Sequence, residues 1–177
     1  MDMYVAVEKA KKIKLVILDV HGVLTTNEII YDEDGTYKRI YNQEDGFGAN
    51  SLMANGIEIA IITRKCKHTE GRMKDIGVKR FYQAKNKEEK YKELLEELNV
   101  TEEEVCYVGD EIIDMGVMKR VGLAVAPSDA KPDVLKIAHL ITKKAGGQGV
   151  LRELAEFILR SQVKWDIFCE KIMAKGW

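Results

Sequence analysis

Three apolar runs in this chain each close on a residue that can handle charge or hydrogen bonds: LVILD on Asp19, IAIIT on Thr63 and CYVGD on Asp110. Short apolar runs without polar alternation read as strands buried on both faces, and the amphipathic segments between them as covering helices. The strand candidates are residues 14–20, 58–62, 79–82, 105–108, 123–126 and the short segment 139–141. Strands alternating with helices predict an α/β protein: a Rossmann-like three-layer sandwich with a mainly parallel sheet. In such open sheets ligands bind just outside the carboxyl ends of the strands, so Asp19, Thr63 and Asp110 are expected to converge on one crevice.

The remaining segments fit this frame. Asp34-Gly35 sits between two β-rich runs and predicts a projecting β-hairpin over about 28–42. Thr101 with Glu104 forms a capping box, Pro132 marks a helix start, and Gly77 and Gly122 follow helical stretches. A length of 177 residues suits one domain spanning 1–177, with a C-terminal tail over about 161–177. No insertion between the strands is large enough for a separate lid, so no cap domain is expected. Whatever covers the crevice must be the hairpin, a tail or another subunit.

Composition excludes several function classes. Lys and Arg total 28 against 29 Asp and Glu, for a net charge of −1, and the charges are interspersed, which argues against a nucleic-acid partner. No stretch approaches the roughly 20 apolar residues of a membrane span, so no membrane partner is expected. The opening MDMYVAVEKAKKIK has no secretory pattern. Cys66, Cys106 and Cys169 form no CxxC pair and suit reduced thiols in a cytoplasmic protein.

The candidate chemistry rests on carboxylates. Asp19 follows an apolar strand and enters a turn containing Gly22, where it can bind a metal, attack phosphorus or merely cap the turn. VGDEIID places Asp110, Glu111 and Asp114 together. Clustered acids repel one another unless a cation neutralises them, and hard oxygen donors suit Mg²⁺.

With these residues in order, the chain resembles the haloacid dehalogenase superfamily of phosphatases. The motifs are LDVHGVLT, IIT ending in Thr63, Lys87 before a helix, and YVGDEIID. More narrowly it is similar to the capless 3-deoxy-D-manno-octulosonate 8-phosphate phosphatases and their relatives acting on sialic-type 9-phosphates. The GVLT run, the hairpin, Asp45-Gly46-Phe47-Gly48 and GGQGVLREL carry that narrower likeness, over about Ile13 to Leu159.

The resemblance implies Asp19 as a nucleophile forming an aspartyl-phosphate, and Mg²⁺ held by Asp19, Asp110 and the backbone carbonyl of His21. It implies Thr63 as a hydrogen-bond donor to the phosphoryl group and Lys87 as its neutralising cation. Asp114 would orient Lys87, and Glu111 would hold metal-bound water. It further implies a small sugar phosphate as substrate, a homotetramer as the assembly, and tails that help close neighbouring crevices.

Two positions depart from the family pattern. His21 stands where an aspartate usually serves as acid and then base. Three readings follow: an imidazole that shuttles the proton, with nearby carboxylates raising its pKa; a first half-reaction followed by slow water attack; or an inactive oligomerising or regulatory module. Thr63-Arg64-Lys65 also lacks the glycine usual after the threonine. Arg64 then either reaches a substrate carboxylate or phosphate, or is a surface arginine.

Smaller features have plainer expectations. Gly146, Gly147 and Gly149 either present amides to an anion or form a structural loop, and the resemblance implies that Arg152 and Glu153 fix this loop to its neighbours. His68 and His139 are expected to be structural. Trp165, Phe168, Ile172 and Trp177 are expected to pack.

Overall fold

The computed structural model describes residues 2–64 and 69–175. Lys65, Cys66, His68 and Trp177, about which the sequence raised expectations, lie outside them. The strands are β1 (Leu15–Leu18), β2 (Ile30–Tyr31), β3 (Tyr37–Lys38), β4 (Glu58–Thr63), β5 (Arg80–Gln83), β6 (Val105–Val108), β7 (Leu123–Ala126) and β8 (Leu140–Ile141). The helices are α1 (Met3–Ala10), α2 (Gln43–Ala54), α3 (Thr69–Asp75), α4 (Lys87–Leu98), α5 (Met115–Met118), α6 (Pro132–Ile137), α7 (Val150–Ser161) and α8 (Trp165–Lys175).

Six strands form one sheet in the order β5-β4-β1-β6-β7-β8, and every pairing in it is parallel. Alternate side chains of each strand feed opposite cores. Val16, Leu18, Ile61 and Val108 face the layer of α1, α2, α7 and α8, whereas Leu15, Ile17, Ile62 and Tyr107 face α4, α5 and α6. The expected three-layer sandwich is thus the observed one. Helix α7 shows why the layers hold. Val150, Leu151, Leu154, Ala155, Ile158 and Leu159 lie on one helical stripe and are fully buried, and each large aliphatic side chain contributes about 1.5–3 kcal/mol on burial.

From β1 the chain runs outward through β4 to β5 and then returns to lay β6 on the other side of β1. The strand order therefore reverses at β1, and the crevice outside its carboxyl end is the switch point where such sheets bind ligands. Asp19 leaves β1 there, its amide donating to the Val108 carbonyl at 3.0 Å.

The hairpin is β2 and β3, joined antiparallel with Tyr31 opposite Tyr37. Its turn is closed by the Gly35 amide on the Asp32 carbonyl, with Gly35 at φ +80°. A bridge between Thr25 and Tyr41 roots the hairpin in the loop that follows Asp19. The capping box at Thr101 and Glu104 is present, but it closes a single 3-10 turn over Glu102–Glu104 and starts no α-helix, because β6 begins at Val105. In the tail, Trp165 and Phe168 are buried and Ile172 packs on the same core, so α8 lies against its own chain. Among the described residues, no helix is long and apolar enough to cross a membrane.

Candidate active site

Asp19, Thr63 and Asp110 are all buried at the carboxyl end of the sheet. Lys87, first residue of α4, comes in from the neighbouring layer. Its Nζ lies 2.7 Å from Asp19 Oδ2 and 2.7 Å from Asp114 Oδ1. Lysine at that position is explicable locally: Asn86 caps the helix by accepting from the Glu89 amide, which fixes where the first turn starts.

Asp114 is saturated. Its Oδ1 also accepts from the Tyr107 hydroxyl at 2.7 Å, and its Oδ2 accepts from the amides of Asp110 and Glu111, each at 3.2 Å. Oxygens of Asp19, Asp110 and Asp114 lie within 4.8 Å of one another. Each Asp114 oxygen already has two partners, whereas among the described residues each Asp19 oxygen has one and Asp110 accepts only from Asn27, so Asp19 and Asp110 are the carboxylates with room for a cation. Burial pushes the Asp19 carboxyl up, against the pull of Lys87. Burial, with Asp114, Asp19 and Glu111 nearby, carries Asp110 to about 6 despite a hydrogen bond from Asn27. Carboxylates so crowded lack positive charge, and a hard divalent ion supplies it.

Glycine makes the crowding possible. Gly22 has φ +72°, and a Cβ there would sit 2.0 Å from Asp110 Oδ2. Replacing Gly22 by alanine is expected to cost about 1–2 kcal/mol from backbone conformation alone. The melting temperature should fall by roughly 2–8 °C, and Asp110 must move, so phosphate release should fall with it. An unchanged melting temperature together with unchanged phosphate release would show that the contact is not needed.

The glycine-rich loop is structural. Gly146 donates to Asp129, Gly147 to the Val23 carbonyl and Gln148 to Ala145, so these amides are not held for an anion. The loop is instead stacked on the Asp19 loop: a Cβ on Gly146 would meet the Gly22 carbonyl at 2.2 Å. Glu153 fixes the loop by accepting from the amides of Lys143 and Lys144. Arg152 does not do so with its side chain, which pairs with Glu156 and lies over Phe47 and Trp165.

His21 differs from expectation. Its imidazole is lowered to about 4, by burial first and then by Arg39 and Lys87. The predicted rise, from neighbouring carboxylates, does not occur: burial disfavours the charged ring first, and Arg39 from the hairpin and Lys87 disfavour it further. His21 Nε2 and Thr63 Oγ1 are buried without hydrogen-bond partners among the described residues. His139 accepts from the Ala124 amide and is structural as expected.

A cleft of about 200 Å³ opens over the site, lined by Asp19, His21, Asp110, Glu111 and Arg64, with Asn27, Ile113 and Lys131 completing it. Arg64 is exposed at its edge. Glu111 turns one oxygen to its own helix, accepting from the Ile112 amide. Sequence reading missed Asn27, Tyr107 and Lys131. Tyr107 had a signal: it occupies the alternate position of a buried strand next to GDEIID, where a phenol needs an acceptor.

A scan of protein families matches residues 81–154 to the haloacid dehalogenase-like hydrolases. Over 162 residues the chain is 41% identical to the 3-deoxy-D-manno-octulosonate 8-phosphate phosphatase KdsC of Escherichia coli (strain K12), covering 90% of this chain and 86% of that one. The chain belongs to the haloacid dehalogenase-like hydrolases. Within this family the 3-deoxy-D-manno-octulosonate 8-phosphate phosphatase of Yersinia pestis has a crystal structure that superposes with a TM-score of 0.89 at 38% identity, covering 92% and 89% of the two chains. That of Moraxella catarrhalis, a complex with magnesium, phosphate and KDO, gives a TM-score of 0.93 at 31% identity over 97% and 99%. The hydrolase fold therefore extends over nearly the whole chain, well beyond the segment matched by the family scan.

Proposed function

We propose that this hydrolase removes phosphate from 3-deoxy-D-manno-octulosonate 8-phosphate through a covalent phosphate on Asp19. The observation that carries the chemistry is the buried Asp19 paired with Lys87 at 2.7 Å at the switch point of the sheet. The substrate is that named for the Escherichia coli relative.

In this reading an Asp19 oxygen attacks phosphorus and the bond to the sugar C8 oxygen breaks, so that oxygen must gain a proton. Water then attacks phosphorus, the Asp19–phosphorus bond breaks, and inorganic phosphate leaves with Asp19 restored. Lys87 balances charge on Asp19 and on the phosphoryl oxygens, and Asp114, held by Tyr107 and two amides, keeps it there. The Thr63 hydroxyl, partnerless among the described residues, has a hydrogen to give to a phosphoryl oxygen. Asp19, Asp110 and the His21 carbonyl would hold Mg²⁺, which when bound supplies further neutralisation of the phosphoryl charge. Glu111 would hold water beside it. The homotetramer implied by the resemblance is supported by exposed apolar side chains on and beside the hairpin, Ile29, Ile30, Tyr31 and Ile40.

Purified protein with Mg²⁺ should release phosphate from the 8-phosphate, and chelation should abolish the release. Mg²⁺ should also raise the melting temperature more at pH 7 than at pH 5. The raised pKa of Asp110 favours its protonated form in the fold, so the metal-free fold loses stability as pH rises from about 4 toward about 6, and a cation restores it. Equal release from metal-free protein, or no thermal shift at either pH, would overturn the metal assignment. Faster release from a nine-carbon 9-phosphate would move the substrate to the sialic-type alternative.

A second reading has its own observation, His21. An imidazole lowered to about 4 is protonated in only about one molecule in a thousand at pH 7, and is a poor acid for the leaving oxygen. On that reading the protein turns over slowly or serves as a non-catalytic module.

A further inference from the structure

Beside the catalytic cleft lies a second basin of about 290 Å³ whose lining includes Arg64, Lys85, Lys87, Glu88 and Ile113. Arg64 and Ile113 line both spaces, and Lys87 lines the second while its Nζ pairs with Asp19 in the first. The two are therefore lobes of one cleft, with the reacting pair at the neck.

Their charges differ. The first lobe holds the carboxylates of Asp19, Asp110 and Glu111 against the exposed Lys131, with Arg64 at its edge. In the second, Lys87 is committed to Asp19 and Asp114. Glu88 is turned onto α5, its Oε1 lying where a Cβ on Gly116 would be 2.1 Å away. Among the described residues, Arg64 and Lys85 form no ion pair, and both are exposed to this lobe. An anion other than the phosphate meets three acids against Lys131 in one lobe, and Lys85 with only the turned-away Glu88 in the other, while Arg64 stands between the two. Half-exposed Ile113 adds an apolar wall at the neck for the carbon chain of a sugar.

We propose that the second lobe is a subsite for the carboxylate of the acidic sugar, with Lys85 as its receiving cation beside Arg64. This rests on the functional reading above and adds a specificity residue to it. Lys85 acts on binding and leaves the phosphoryl step untouched, so its effect belongs in KM.

The test is a cycle of two proteins and two substrates: wild type and Lys85→Met, each with the octulosonate 8-phosphate and with its methyl ester. For the acid, Lys85→Met should raise KM about tenfold, as expected for loss of a charge-assisted contact, and leave kcat unchanged. Esterification should raise the KM of the wild type by the same factor and of Lys85→Met by no more. Lys85→Arg should keep the preference for the acid. An equal rise for acid and ester, or no rise for the acid, overturns the subsite while phosphate release by the wild type upholds the functional reading. Failure of the wild type to release phosphate from the acid overturns both.

Discussion

Asp19→Asn should abolish phosphate release, with a loss on the order of ten-thousandfold or more in kcat, as for removal of a covalent nucleophile, while the protein stays folded. The substitution is nearly isosteric, and the amide oxygen can still accept from the Val20 N–H, which now reaches Asp19 Oδ1 at 2.7 Å. Lys87 keeps its contact with Asp114 at 2.7 Å and so is not left as an unpaired buried cation. Removing one of several crowded acids also relieves repulsion on Asp110. The metal-free variant should therefore melt at or above the temperature of the wild type, the opposite of what a damaged core would do. Mass spectrometry of wild type quenched during turnover should find one phosphoryl adduct, absent from the variant. Release by Asp19→Asn above a few per cent of wild type would place the nucleophile elsewhere.

His21→Asp should raise kcat, by a factor on the order of a hundred for a restored general acid and base. The native imidazole is neutral near pH 7 because burial and two cations, Arg39 and Lys87, oppose its charge. An aspartate at the same place has a neutral protonated form, so it can hold and pass on a proton without placing a further cation beside Arg39 and Lys87. Position 21 is half-buried, so the shorter side chain creates little void. Single-turnover measurement separates the half-reactions: faster covalent phosphate formation points to the acid role, faster decay to the base role. If the wild type already turns over efficiently and His21→Asp leaves kcat unchanged or lower, the imidazole is not the limiting group and the second functional reading falls.

Much of the site was legible because strand ends are legible. An apolar run that stops on Asp or Thr marks both a buried strand and the end at which ligands collect, and residues 105–108 and 123–126 fall where the structure has them. The third dimension was not legible. Arg39 lies on the far arm of the hairpin, so nothing adjacent in the chain warned that His21 would meet a cation before a carboxylate. The glycine-rich segment gave two readings, and only the close stacking of Gly146 on Gly22 shows that its glycines serve backbone packing. Asn27 and Lys131 carry no motif at all; they reach the cleft through loops whose course depends on the whole sheet.

The loop at position 21 also bears on how this chain departs from the family pattern its motifs resemble. Its backbone is set by the Thr25 bridge, by the left-handed Gly22 and by the stacked glycine loop, whereas the imidazole Nε2 has no bonding partner among the described residues. Scaffold and reactive group are thus separable, and the side chain can be exchanged without rebuilding the turn. Aspartate and histidine codons differ by a single base. One nucleotide change therefore connects this site with an aspartate-bearing one in either direction, and a population under selection for phosphate release would need no second mutation to make the crossing.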